Sequence, residues 1–259
     1  KLGDMVSSMV SRAAARTVLV RRLPGLISYE EGQKLQQALV KQRRMGEAPD
    51  TLLLLEHEPV FTLGRLQESA ANVRVSAEAL EAAGARIVQS DRGGNVTFHG
   101  PGQLVAYPIL DLASGFRRDL HWYVGALEDT MISTAAALGV AAERGEPGHT
   151  GVWVGDRKLG ALGVRVQRWF SSHGIALNAN VDLGYFDMIV PCGLSEAPHV
   201  TSLSRELGRT VDVAEARRHF EASFEQVFEC KLVTEVLDGR NHRLDGMPVP
   251  ASSYDSLGS

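Results

Sequence analysis

The stretch Pro49-Asp50-Thr51-Leu52-Leu53-Leu54-Leu55 decides the fold class. Pro49 and Asp50 punctuate the chain, and four leucines then follow without a polar gap. A run this short and unbroken reads as a strand buried on both faces, because a strand with one wet face alternates apolar and polar side chains. Such a strand needs a layer of structure on each side. Upstream of it, Thr17 to Arg22 reads as a strand, and Tyr29 to Lys41 carries Leu35, Ala38 and Leu39 at helical spacing. Downstream, Ser76 is placed to cap a helix that Gly84 stops, and Ala85 to Gln89 returns as a strand. Leu104 to Leu110 is strand-like, and Gly151 to Val164 reads as two strands joined by a turn around Gly155 and Asp156. Asp212, followed three residues later by Glu215, is a capping-box pattern for a helix running towards Phe228. Alternating strands and helices predict an α/β or α+β layer fold.

The 259 residues, 44% hydrophobic and 22% charged, are enough to bury a substantial core. There is no internal repeat, no low-complexity tract and no linker before about residue 230. The expected organisation is one catalytic domain over 17–236, a poorly ordered N-terminal extension over 1–16 and a loosely ordered tail over 237–259. A net charge of -4 and a pI near 6.1 give no basic excess for nucleic-acid binding. No apolar run approaches the ~20 residues that cross a bilayer, so no membrane partner is expected. Two cysteines, Cys192 and Cys230, cannot build a disulfide framework and read as free thiols of a reducing compartment. The expected location is the cytoplasm. The alternative is the mitochondrial matrix, because Met5 to Arg22 is rich in Ser, Ala and Arg with no acidic residue, as transit peptides are.

Three segments carry chemistry. The first is Arg92-Gly93-Gly94-Asn95-Val96-Thr97-Phe98-His99-Gly100-Pro101-Gly102-Gln103. Four glycines, a proline, a cation and a histidine in twelve residues suit a loop whose backbone approaches a ligand closely; the bland alternative is a tight hairpin. It has neither the glycine spacing nor the following helix of a nucleotide-binding loop. The second is the hairpin containing Lys158 and Leu159-Gly160-Ala161-Leu162-Gly163-Val164. A lysine just past a turn is ordinarily solvated, but its apolar neighbours make burial conceivable here. The third is Pro191-Cys192-Gly193-Leu194, preceded by His173-Gly174-Ile175-Ala176-Leu177-Asn178. A thiol between proline and glycine is restricted on one side and open on the other, which suits access by a bulky thioester. Cys230 closes an amphipathic helix with Phe220, Phe224 and Val227, and reads as packing. No Cys-x-x-Cys or His-x-x-x-His spacing occurs, so no metal site is expected.

Together these segments closely resemble the octanoyltransferases of lipoate biosynthesis, also called lipoyl(octanoyl) transferases. The resemblance covers roughly residues 17 to 229, with Glu56-His57-Glu58-Pro59, Thr62-Leu63-Gly64-Arg65 and Val200 to Leu203 as supporting matches. It implies the fold of the biotin and lipoate protein ligases, a single mixed α/β domain with a sheet lining an acyl pocket. It implies that Cys192 is the nucleophile of an acyl-thioester intermediate and that Lys158 activates it and shuttles the proton. By the same resemblance, Arg92, Gly93, Gly94, Asn95, Val96, Thr97, Phe98, His99, Ala161, Leu162, Gly163, Gly174, Ile175 and Ala176 bind substrate. The family more often has Tyr at the position of Phe98, so no role needing that hydroxyl is expected here. The implied partners are acyl carrier protein, as octanoyl donor, and the lipoyl domains of 2-oxoacid dehydrogenase E2 subunits and the glycine cleavage H protein. No cofactor, ATP or metal is implied. Both partners are acidic, and Arg65, Arg92, Arg165 and Arg168 are candidates for a basic rim. The competing readings are an ATP-dependent lipoate ligase of the same fold and a non-catalytic acyl-binding protein.

Overall fold

In the computed structural model, which describes residues 16–190 and 199–234, the leucine run lies inside a strand at the centre of the molecule. The elements follow as β1 (Arg16–Ile27), α1 (Tyr29–Met45), β2 (Thr51–His57), β3 (Val60–Leu63), α2 (Ala77–Ala82), β4 (Arg86–Gln89), β5 (Thr97–His99), β6 (Gln103–Ile109), α3 (Leu120–Ala137), β7 (Glu143–Arg144), β8 (Val152–Val154), β9 (Arg157–Gln167), β10 (Phe170–Asn178), β11 (His199–Val200), α4 (Leu203–Leu207), α5 (Val213–Phe228) and β12 (Cys230–Thr234). The large sheet runs β12-β1-β2-β6-β10-β9-β8-β7, with β11 added alongside β9, and a small sheet runs β4-β3-β5. The large sheet is mixed, because β1 pairs in parallel with both β2 and β12 whereas β2, β6, β10 and β9 are antiparallel in turn.

Strand periodicity divides the leucines between two cores. Leu52 and Leu54 pack with Leu104, Ala106, Tyr123, Phe220 and Phe224 on the face covered by α3 and α5. Leu53 and Leu55 pack with Val105, Tyr107, Ile109 and Leu39 on the face covered by α1. Each fully buried leucine contributes about 1.5–3 kcal/mol of transfer free energy. A third cluster, Phe61, Val96, Phe98, Phe186 and Ile189, sits between the small sheet and a 3-10 turn over Leu183–Met188.

The helix ends follow local chemistry. Ser28 and Glu31 form a reciprocal capping box at the start of α1, and Gly46, with φ 76°, ends it. Ser76 caps α2 as its position predicts. Asp212 caps α5 by accepting from Glu215 N. Arg168 and Trp169, both with positive φ, make the two-residue turn between β9 and β10 that a tight hairpin requires. Cys230 does not close a helix, as the sequence reading had it: α5 ends at Phe228, Glu229 turns the chain, and Cys230 opens β12 beside Arg16. Of the expected N-terminal extension only Arg16 is described, and it belongs to β1; the expected tail over 237–259 lies outside the described residues.

Candidate active site

The glycine-rich segment is not a hairpin. β5 pairs with β3 in the small sheet and β6 pairs with β2 and β10 in the large one, so the segment bridges the two sheets. Arg92 fastens the bridge. Its guanidinium is buried and donates to Thr62 Oγ1, to the Thr62 carbonyl at 2.6 Å and to the Gly93 carbonyl at 3.0 Å. Two glycines make room: a Cβ at Gly64 would collide with the Gly94 carbonyl, and one at Gly163 would lie 2.8 Å from the Gly93 carbonyl. In β5 the period of two then sorts the side chains. Thr97 and His99 face a cavity, while Phe98 points the other way and stacks on Tyr185 at 4.2 Å.

Lys158 is buried, with 5% of its surface exposed, so it is not the solvated residue that follows most turns. Its Nζ donates to the Thr150 carbonyl at 3.0 Å and lies 5.3 Å from the Trp153 ring centre. β11 holds its backbone, through the pairing of Val200 with Lys158 and a bond from Thr201 N to the Lys158 carbonyl. Gly151, at φ 133°, lets the side chain lie against the main chain, since a Cβ there would be 2.7 Å from Lys158 Cε. Glu128 of α3 accepts from Gly151 N and so fixes the turn that presents the Thr150 carbonyl.

Neutral polar groups lie in and behind the wall between these elements. His57 Nδ1 is 2.8 Å from the Ile27 carbonyl, which can only accept. Its Nε2 therefore carries the lone pair, and Tyr107 donates to it at 2.7 Å. Burial lowers the His57 pKa to about 4. Burial, helped by repulsion from His57 and Arg92, also puts His99 well below the usual histidine range. Burial drives Tyr107 well above the usual phenol range. His99 starts a chain of amides: Nδ1 pairs with Gln103 Oε1, Gln103 Nε2 donates to Asn178 Oδ1, and Asn178 Nδ2 donates to the Thr201 carbonyl. Because the Gln103 amide nitrogen is committed as a donor, its oxygen accepts and His99 Nδ1 carries the proton. The chain of bonds thus ties His99 to Thr201, whose own N–H holds the Lys158 carbonyl.

These elements enclose a cavity of about 280 Å³ floored by β6, β9 and β10. Of the residues expected from the sequence, Arg92, Gly94, Asn95, Val96, Thr97, His99, Lys158, Ala161, Leu162, Gly163, Gly174, Ile175 and Ala176 line it. Gly93 and Phe98 do not: Gly93 N is spent on the Val164 carbonyl, and Phe98 is on the core side of its strand. Cys192 lies outside the described residues. Of the candidates for a basic rim, Arg92 is buried and so does not serve it, Arg165 is half-buried and paired with Asp91, and Arg65 and Arg168 are exposed. Tyr29, Tyr107, Gln103, Asn178 and His173 also line the cavity, outside the set of site residues that the resemblance implies. Nothing in the spacing of Tyr29 or Tyr107 marks them; His173 and Asn178 bracket a motif that was read for its middle residues.

The sequence profile of the lipoyl protein ligase A/B catalytic domain matches residues 28–225. The fold agrees with that class: an archaeal bi-partite lipoate protein ligase from Thermoplasma acidophilum has the same fold, with a TM-score of 0.64 at 14% identity, over 85% of this chain and 86% of that one. An octanoyltransferase of Rubrobacter xylanophilus is 50% identical over 209 residues, covering 80% of this chain and 92% of that protein. A mitochondrial octanoyl-[acyl-carrier-protein]:protein N-octanoyltransferase of Danio rerio is 44% identical over 225 residues, covering 86% and 96% respectively. The chain belongs to the octanoyltransferase family and is an acyltransferase.

Proposed function

We propose that this enzyme moves an octanoyl group from octanoyl-acyl carrier protein to a specific lysine of a lipoyl domain, through an acyl thioester on Cys192. The observation that carries the reading is the buried amine of Lys158 on the wall of a cavity bounded by the glycine-rich bridge. In the first step Lys158 accepts the Cys192 thiol proton, and the thiolate attacks the carrier thioester carbonyl. The carrier's sulfur leaves and takes that proton. In the second step the lipoyl-domain lysine attacks the enzyme thioester, the Cys192 sulfur leaves, and the proton lost by the amine returns to it by way of Lys158. Thioester exchange is nearly thermoneutral and aminolysis runs downhill, so the scheme uses no nucleotide and no metal. The ammonium formed on Lys158 stabilises the thiolate by attraction at short range.

The chain's other cysteine supports this choice of nucleophile. Burial, reinforced by Glu225, pushes the Cys230 thiol up to about 12, far from a thiolate at neutral pH. The expected recipients are lipoyl domains of 2-oxoacid dehydrogenase E2 subunits and the glycine cleavage H protein. A reducing compartment, the bacterial cytoplasm or the mitochondrial matrix, suits a catalytic thiol.

Intact-mass spectrometry tests the scheme. Octanoyl-acyl carrier protein should add one octanoyl group that hydroxylamine removes, and Cys192→Ser should abolish the adduct. Acylation of Cys230, or modification of a lipoyl domain from free octanoate and ATP without a carrier donor, would overturn it.

A further inference from the structure

A second cavity, of about 360 Å³, lies between α1 and the β9–β10 hairpin, beside Val40, Arg44 and Phe170. Among the described residues, His173 alone borders both this space and the acyl cavity. Its place along the sheet is the end remote from Lys158. His173 pairs with Val164, which stands six residues beyond Lys158 on β9, roughly 20 Å at the rise of an extended strand. The acyl cavity is bordered at one end by the amine and at the other by this ring.

The ring is held firmly and at a cost. The backbone of His173 is left-handed, with φ 56°, a conformation that a residue with a Cβ seldom adopts. Its N–H donates to Gln36 Oε1 of α1 at 2.7 Å, and its Nε2 is 2.7 Å from Asp91 Oδ1. Asp91 is in turn ion-paired with Arg165. The ring also stands edge-on to Tyr107, 86° between planes. Its Nδ1 is buried without a hydrogen-bond partner. A strained backbone and an unpaired buried nitrogen at one residue imply a function that packing alone does not require. The hydroxyls of the neighbouring Tyr29 and Tyr107 are turned from a chain end here, because they are engaged by Ser90 and His57, which lie outside the cavity lining.

We propose that His173 is the end stop of the acyl cavity, held in place by Asp91 and Arg165, and that it sets the longest acyl chain the enzyme accepts. The inference rests on the acyl-transfer reading and adds a residue that selects the substrate within it. Removing the stop joins the two cavities, and a longer tail then runs past Val40, Phe170 and the aliphatic stem of Arg44.

The test compares transfer of octanoyl and dodecanoyl groups from acyl carrier protein to a lipoyl domain, together with calorimetric binding of free octanoate and dodecanoate. His173→Gly suits the left-handed backbone and should fold. It is expected to raise the dodecanoyl-to-octanoyl ratio of kcat/KM at least about tenfold, since even one methylene in an apolar pocket is commonly worth that factor. Asp91→Ala keeps the ring but frees it, and should raise the same ratio by less. If His173→Gly fails to fold by circular dichroism, Asp91→Ala decides. Unchanged ratios in both transfer and binding overturn the end stop. A wild-type enzyme that takes no octanoyl group from the carrier sinks the transfer reading instead, while the binding ratio still tests the stop.

Discussion

Lys158 shows how a residue with an unremarkable sequence setting becomes the focus of a site. A lysine after a turn is usually wet, and its burial arises from contacts that the local sequence does not announce: the Thr150 carbonyl and the Trp153 ring, with the turn between them held at Gly151 N by Glu128, on a helix thirty residues upstream (158 − 128). Gly151 is the residue that makes the arrangement fit. Gly151→Ala places a methyl group within 2.7 Å of both Lys158 Cε and the Gly160 carbonyl, at φ 133°. Gly155, in the same hairpin, also has positive φ but has open space where its Cβ would be. Both substitutions should cost about 1–3 kcal/mol from the backbone alone. Only Gly151→Ala should also slow single-turnover octanoyl transfer, by about tenfold or more, because a displacement of 1 Å at a catalytic group is costly. Equal transfer rates in the two variants would show that the position of Lys158 does not matter to the chemistry. The cavity wall was legible at residues carried by compact motifs, such as Arg92, His99 and Ala161 to Gly163. It was illegible at Tyr29 and Tyr107, which reach the cavity only through tertiary packing, and so was the support that Glu128 gives from behind through Gly151.

Among the elements, β2 was legible and α3 was not, for one physical reason. A strand buried on both faces leaves an unbroken apolar run, whereas a helix buried between a sheet and another helix loses the one-sided stripe that identifies it. In α3, Tyr123, Ala126, Leu127, Met131 and Ala135 are buried in the core, and so are Glu128, Thr130 and Thr134. The two threonines meet their hydrogen-bonding need within the helix, by donating to the carbonyls of Ala126 and Thr130. Polar residues thus interrupt the pattern without leaving the interior. For β2 the two-faced burial has a sharp consequence. Leu54→Ala opens a cavity against α3 and α5, and Leu53→Ala opens one against α1, so each should destabilise the protein by about 2–5 kcal/mol in urea unfolding. A strand with a solvated face would tolerate one of the two changes almost freely, and that asymmetry would contradict the layer assignment. The glycine-rich segment was harder to place. Its composition marks a close approach of backbone, but only pairing of β5 with β3 and of β6 with β10 shows that it links two sheets.

At the scale of the whole molecule, the site is assembled from histidines that burial keeps uncharged, and this couples stability to pH. His57, His99 and His173 all have pKa values below the ordinary one, with burial the largest cause in each. A histidine with a depressed pKa in the folded state binds fewer protons than in the unfolded chain, so its contribution is present above the unfolded value and is lost as pH falls towards the folded value. For His57 that window runs from 6.5 down to about 4, which is worth on the order of 3 kcal/mol across its full width. The other two histidines act in the same direction. Paired carboxylates such as Asp91 and Glu206, held low by His173 and Arg157, add their own losses only below the ordinary carboxylate range. Between pH 7.5 and 5 the histidines therefore dominate, and the urea midpoint should fall steadily over that interval with little change in its slope on denaturant. His57→Gln removes one titrating group and should flatten the dependence, even though it lowers stability at pH 7.5 by disturbing the bonds to Ile27 and Tyr107. A wild-type midpoint that stays level from pH 7.5 to 5 would mean that these rings take up protons as readily in the folded protein as in the unfolded chain, and the reading of them as uncharged by burial would have to be abandoned.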